Sequence, residues 1–208
     1  MDKRLKKQKK LFNKYFIDLN YTKAIAAMNL ALEYHTGLRK DGSPEVGHQF
    51  DLNSYLMPLF ENTEIHEQLI VVAFLHDLPE DYNFLFSEIN YLFGSKIEYS
   101  TKMITKKKGF AKTTEDYQEY YAGMATDLIS VIVKMSDRLH NLSSIIKAGE
   151  SFSDKRKLEY IAEAREYLIP EAKKMRKNSI YSSKITMLIQ IMKNYCDLIE
   201  EIVFAKKK

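Results

Sequence analysis

Tryptophan is absent from this sequence, cysteine occurs once, and 208 residues hold only 7 glycines and 4 prolines. With Cys196 alone, no intrachain disulfide can form, which suits a reducing compartment, so the expected address is the cytoplasm. No apolar run approaches the length of a membrane-spanning helix, and none follows the basic first ten residues as a signal peptide would require. A membrane role is therefore not expected. The scarcity of glycine and proline leaves little turn material and favours long helices over many short strands. Internal repeats, low-complexity linkers and composition breaks are also missing, so residues 1–208 are read as one domain with no boundary drawn.

What is present fits a soluble globular chain: 45% hydrophobic and 29% charged residues, with 14 tyrosines and 11 phenylalanines to fill a core. The net charge of +4 sits largely at the ends, in Lys3, Arg4, Lys6, Lys7, Lys9 and Lys10 and in Lys206 to Lys208. Without those ends the chain carries a small net negative charge. Charge runs of this kind are mostly solvated helix starts and frayed tails, so nucleic acid is not the expected partner. Nothing in the sequence sets an oligomeric state.

Apolar periodicity predicts helices throughout. Leu5, Phe12, Phe16 and Leu19 mark one over residues 5–19, and Ile25, Met28 and Leu32 a second over 21–34, stopped near Gly37. Residues 39–47, with Gly42, Pro44 and Gly47, read as an ordered loop. A short helix follows over 50–60, then a strongly apolar one over 65–78 that Pro79 ends or bends. Further helices are expected over 83–93, 95–105 and 114–124. Val131 to Val133 would suit a strand by propensity, but the length of 127–146 and the lack of partner strands favour helix. Long helices over 154–174 and 179–204 complete an all-α, compact helical bundle.

Three segments carry charge into apolar surroundings. His76-Asp77 lies in Phe74-Leu75-His76-Asp77-Leu78-Pro79-Glu80-Asp81, at the end of the most apolar helix. Burying that charge is costly unless it is paired or binds a metal. Lys134-Met135-Ser136-Asp137-Arg138-Leu139-His140-Asn141 repeats the pattern after Val131 to Val133. The third segment is the loop Arg39-Lys40-Asp41-Gly42-Ser43-Pro44 leading to His48. Each alone has a bland counterpart: a capping His-Asp pair, a buried Asp137–Arg138 ion pair, a histidine ending a turn. The three in this order are harder to set aside.

Together they resemble the HD hydrolase half of the RelA/SpoT alarmone enzymes, with its His-x-Gly…Arg-Lys-Ser-Gly-x-Pro…His loop, Leu-Leu-His-Asp-x-x-Glu-Asp helix end and Lys-x-Ala-Asp-Arg-Leu-His-Asn helix. The likeness runs over about residues 24–175, and a stand-alone small alarmone hydrolase is the expected comparison. It implies a divalent metal, usually Mn²⁺, on His48, His76, Asp77 and Asp137, a donor set that also suits other hydrolytic cations. It implies that Glu80 and Asp81 position and deprotonate the attacking water. Substrate contacts implied are Arg39 and Lys40 around the guanine base and its phosphates, Asn141 and Ser144 at the ribose pocket, and Lys106 at the diphosphate. The reaction implied is water attack on the 3′-diphosphate of ppGpp or pppGpp, giving GDP or GTP and pyrophosphate. Arg138 is expected to partner a buried carboxylate such as Glu80 or Asp137, His35 to end a helix, and His66 to stay uninvolved.

Several positions depart from the family pattern. The first loop is one residue shorter between His35 and Arg39. Asp41 replaces a serine, Glu45 a tyrosine, Gln49 a proline, and Ser143 a basic residue. No metal ligand is lost, so the reaction type is better supported than the nucleotide. Another phosphate ester (NADPH, another nucleotide or a pyrophosphorylated RNA end) and a non-catalytic alarmone-binding or antitoxin-like module stay open as alternatives.

Overall fold

The computed structural model describes residues 3–39 and 42–205. The chain divides into two compact units, Met1–Lys106 and Lys107–Lys208. Among the described residues the regular elements of both are helices, apart from one isolated antiparallel bridge between Leu38 and Pro44.

In the first unit, helices α1 (Lys3–Asp18), α2 (Thr22–Tyr34) and α3 (Gly47–Phe60) pack around α4 (His66–Leu75). Helix α4 is apolar on every side, and His66, Leu69, Ile70, Val71, Val72, Ala73, Phe74 and Leu75 are all buried. That composition is what a central helix requires, each large apolar side chain contributing about 1.5–3 kcal/mol when removed from water. Phe12, Phe16 and Phe50 meet Phe74 edge-on with ring centroids 5.5–6.5 Å apart, fastening α1 and α3 to it.

The expected single helix over 65–78 is broken in two. Helix α4 ends at Leu75, and a short α5 (Leu78–Tyr82) begins after the His76-Asp77 turn, with Pro79 at a first-turn position where its missing N–H is not needed. Asn83, left-handed at φ 54°, closes α5. Helix α6 (Phe86–Phe93) turns into α7 (Ser95–Ile104) at Gly94, whose φ of 93° a side chain would strain.

The second unit contains α8 (Thr114–Met124), α9 (Leu128–Ala148), α10 (Asp154–Glu163), α11 (Ile169–Lys177) and α12 (Ser182–Ala205). Thr113 and Asp116 form a capping box that starts α8, and the Asp127 carboxylate accepts the Ser130 N–H at the start of α9. Val131 to Val133 are buried within α9, so burial on a helix overrides their β preference. Helices α9, α10 and α11 all pack on α12, whose buried stripe includes Leu188, Met192, Cys196 and Ile199. Burial pushes the Cys196 thiol up to about 11.

The helix expected to run unbroken over 154–174 carries a π turn at Ala164–Leu168. Pro170 explains it. A proline lacks the donor for the carbonyl four residues back and its ring crowds that carbonyl, and a wider turn accommodates both. Among the described residues no helix is long and apolar enough to cross a membrane.

Candidate active site

The first unit places several of the candidate residues at the break between α4 and α5. The His76 Nδ1–H donates to the Ala73 carbonyl at 2.9 Å, because a carbonyl can only accept. That bond fixes the tautomer and leaves the Nε2 lone pair facing outward, the arrangement a metal-binding imidazole needs. His76 Nε2 lies 3.0 Å from Asp77 Oδ1, and His48 Nε2 lies 4.0 Å from Asp77 Oδ2. The two rings sit 5.5 Å apart between centroids. A lone pair and a carboxylate oxygen at 3.0 Å repel unless a proton or a cation stands between them, so this donor set suits a divalent metal.

His48 reaches this point from the first turn of α3. The turn ahead of it is closed by the Arg39 N–H donating to Ser43 O at 2.8 Å and by the Gly42 N–H donating to Arg39 O at 2.9 Å. Gly42 has a φ of 79°, which favours glycine there. Arg39 is half-buried. Lys40 and Asp41 lie outside the described residues.

Acidic groups crowd the same end of the unit. Glu80 and Asp81 occupy the first turn of α5, and Glu80 Oε2 accepts the backbone N–H of half-buried Lys106 at 3.3 Å. Partial desolvation pushes the Asp81 carboxyl up to about 6, helped by the like charges of Asp77, Glu80 and Glu45. The Tyr82 hydroxyl donates to Glu45 Oε2 at 2.6 Å. Gln49, wholly buried in α3, donates through its Nε2 to Asp77 Oδ2 at 3.1 Å and lies 3.2 Å from His35 Nε2.

The second unit offers Asp137, buried in α9. Its Oδ1 accepts from the Asn141 amide at 2.8 Å, and its Oδ2 from the Lys134 ammonium at 2.9 Å. Burial alone would lower the Lys134 pKa, but the Asp137 charge and the flanking Tyr120 and Tyr121 raise it well above the usual lysine range. Lys134 therefore stays charged. Ser144 lies three residues beyond Asn141 on α9 and is half-buried.

Arg138 was expected to partner a buried carboxylate such as Glu80 or Asp137, and the carboxylate it meets is Glu163. The Arg138 Nη2 lies 2.6 Å from Glu163 Oε1, which also accepts the Tyr121 hydroxyl at 2.7 Å, and its guanidinium rests 4.8 Å from the Tyr160 ring centroid. Glu163 wins because α10 brings it beside α9's inward face, a long-range contact that sequence spacing does not reveal. Lys107 pairs with Glu119. His35 caps α2, as expected, and His66 is buried 3.2 Å from the Tyr21 hydroxyl.

The structure thus brings His48, His76 and Asp77 together in the first unit and Asn141 onto Asp137 in the second. Sequence reasoning missed Lys134 as a partner of Asp137, although a Lys three residues before an Asp on a helix was a readable signal. The partnerships of Gln49 with Asp77 and of Glu163 with Arg138 had no comparable signal.

Comparison with known proteins gives the following likenesses. No family model matches the chain. It is 28% identical over 143 residues to a Synechocystis protein named as a probable guanosine-3′,5′-bis(diphosphate) 3′-pyrophosphohydrolase, covering 66% of this chain and 18% of that one. A Spiroplasma citri protein named as the same pyrophosphohydrolase is 32% identical over 119 residues, 54% of this chain and 15% of its own length. A Danio rerio protein of the same name is 26% identical over 140 residues, 65% of this chain and 77% of its own. Among solved structures, a metazoan SpoT ortholog described as hydrolysing ppGpp superposes with a TM-score of 0.64 at 20% identity, covering 81% of this chain and 94% of that one. The chain is thus similar over part of its length to proteins named as guanosine-3′,5′-bis(diphosphate) 3′-pyrophosphohydrolases. It spans less than a fifth of the length of the two bacterial relatives. The likeness to the metazoan structure, at 20% identity, is one of helical fold.

Proposed function

We propose that this HD domain hydrolyses the 3′-diphosphate of ppGpp or pppGpp in the cytoplasm, releasing pyrophosphate and GDP or GTP. The observation that carries this reading is the convergence of His48, His76 and Asp77 with the His76 tautomer set to present Nε2. The names of the Synechocystis, Spiroplasma and Danio relatives support the substrate.

In this reading the ligands are the four that the family resemblance implies, His48, His76, Asp77 and Asp137, and manganese is the ion proposed. Such a cation, when bound, polarises a phosphate oxygen and draws the pKa of a water towards neutrality. Asp81, with its pKa of about 6, is ionised at neutral pH yet basic enough to accept a proton from the attacking water. Glu80, held by the Lys106 N–H, keeps that water oriented. Lys134 and Asn141 grip both Asp137 oxygens and hold the carboxylate in one orientation. Arg39, Lys40 and Lys106 meet the phosphates and the base, and Asn141 and Ser144 line the ribose pocket. The reading requires residues 1–208 to act as one catalytic domain.

One observation favours a different phosphate ester within the same chemistry. Glu45, which the Tyr82 hydroxyl holds at 2.6 Å, puts an acid in the substrate loop where the family pattern has a tyrosine, a change in what a bound nucleotide would meet there. The deciding assay is pyrophosphate release from ppGpp by purified protein with Mn²⁺, with Asp77→Ala as control and NADPH as rival substrate. Turnover of ppGpp that is lost in Asp77→Ala is expected. Metal uptake with ppGpp untouched and NADPH consumed would transfer the site to the second reading.

A further inference from the structure

The position after His48, proline in the family pattern, is Gln49 here, and its side chain is wholly buried beside the proposed metal ligands. Its amide can be oriented in only one way. Asp77 Oδ2 lies 3.1 Å away and, as a carboxylate oxygen, has to be met by the NH₂ end. The same nitrogen lies 3.2 Å from His35 Nε2. His35 is buried, and its Nδ1 lies 3.1 Å from the Ala31 carbonyl, which can only accept. The His35 proton therefore sits on Nδ1, and Nε2 keeps a lone pair for the second Gln49 hydrogen.

Donors and acceptors then alternate without conflict. His35 donates to Ala31 O, Gln49 donates to His35 Nε2, and Gln49 donates to Asp77 Oδ2. Both amide hydrogens are used, while Gln49 Oε1 is buried with no hydrogen-bond partner. Leaving an acceptor unmet in a core is costly, and the two hydrogen bonds that the amide donates offset that cost. Burial pushes the His35 pKa down, which keeps the imidazole neutral and able to accept.

We infer that Gln49 and His35 form a buried relay, particular to this chain, that orients the Asp77 carboxylate for its metal; Gln49 is a positioning residue standing where the family pattern has a proline. A proline at 49 has no donor to offer Asp77, so relatives with one must hold the aspartate by other means. The inference rests on the metal-site reading given above, and it goes beyond that reading in naming what fixes one ligand.

The test is Mn²⁺ affinity by calorimetry on the full chain, wild type against Gln49→Met, alongside the melting temperature in EDTA and the ¹⁵N shifts of His35. Loss of a hydrogen bond to a metal ligand lowers affinity about 10-fold or more. Gln49→Met is expected to show that loss while staying folded in EDTA, and to release His35 from its single tautomer. Unchanged Mn²⁺ affinity in Gln49→Met overturns the relay, whether or not ppGpp is a substrate. Should Gln49→Met fail to fold, Gln49→Leu and the wild-type His35 signals decide: a proton on His35 Nε2 overturns the relay, and one on Nδ1 with a scalar coupling to Gln49 Nε2 supports it. If Mn²⁺ binding weakens as expected but ppGpp is not hydrolysed, the relay stands and the substrate assignment fails. A wild-type chain that takes up no Mn²⁺ overturns both.

Discussion

The two units treat charge in opposite ways. In the second, opposite charges are placed against one another: Lys134 on Asp137, and Arg138 on Glu163 with the Tyr121 hydroxyl added. In the first, like groups are gathered: Asp77, Glu80 and Glu45 all act to raise Asp81, and the Nε2 atoms of His48 and His76 face Asp77 oxygens. Matched charge is a way to hold a helix pair, at little net gain over apolar packing. Gathered acids and lone pairs destabilise a fold by themselves, and a chain keeps them when a cation is to be bound there. The contrast runs alongside burial, since the matched pairs are largely buried while Glu80 and Asp81 reach solvent.

The largest effects expected are on turnover. Asp81→Asn removes the proposed base while leaving its shape, and pyrophosphate release should fall by about 10²–10⁴-fold at saturating ppGpp. Mn²⁺ affinity, measured on the same preparation, should change far less. Turnover in Asp81→Asn within a few-fold of the parent would break the comparison at its catalytic end, and Glu80 would have to be tested in its place.

The matched charges of the second unit should respond through stability instead. Arg138→Met leaves Glu163 buried without its guanidinium, and removing one partner of a buried pair costs roughly 3–5 kcal/mol. Denaturant unfolding should show that loss, and the double variant Arg138→Met/Glu163→Met should recover most of it. In the first unit the analogous change has the other sign. Asp77→Asn in metal-free protein should unfold no more easily than the parent, because it removes a like charge from a crowded group. Similar losses from Arg138→Met and Asp77→Asn would erase the distinction between the units.

Much of this was legible before the structure, because helical periodicity and the three charged segments are local signals. Leu69 to Leu75 could only be a central helix, and His76-Asp77 at its end marked the site. What was not legible depends on partners far away in the chain. Arg138 was expected to meet Glu80 or Asp137, both within its own or a neighbouring motif, and the carboxylate it meets is Glu163 of α10. Gln49 looked like a simple departure from a pattern, and only the fold sets it between His35 and Asp77. The π turn before Pro170 likewise follows from a proline whose effect inside a helix depends on how the neighbouring turns adjust.

The smallest expected effect is the most specific to the gathered charges. Asp81 rises from an ordinary value of 3.8 to about 6 in the folded, metal-free chain. Between those values the folded state keeps a proton that the unfolded chain has released, so stability falls as pH rises through the window. Above about 6 the ionised carboxylate carries its full cost, and below about 4 both states are protonated and the cost vanishes. In EDTA, Asp81→Asn should therefore melt above the parent at about pH 7.5, with a gain that shrinks steadily towards pH 4. The side chain reaches solvent, so screening holds the gain to no more than about 1 kcal/mol. A gain of the same size at both ends of the range would show that asparagine packs better there, and that crowding of like charge is not what strains this corner of the first unit.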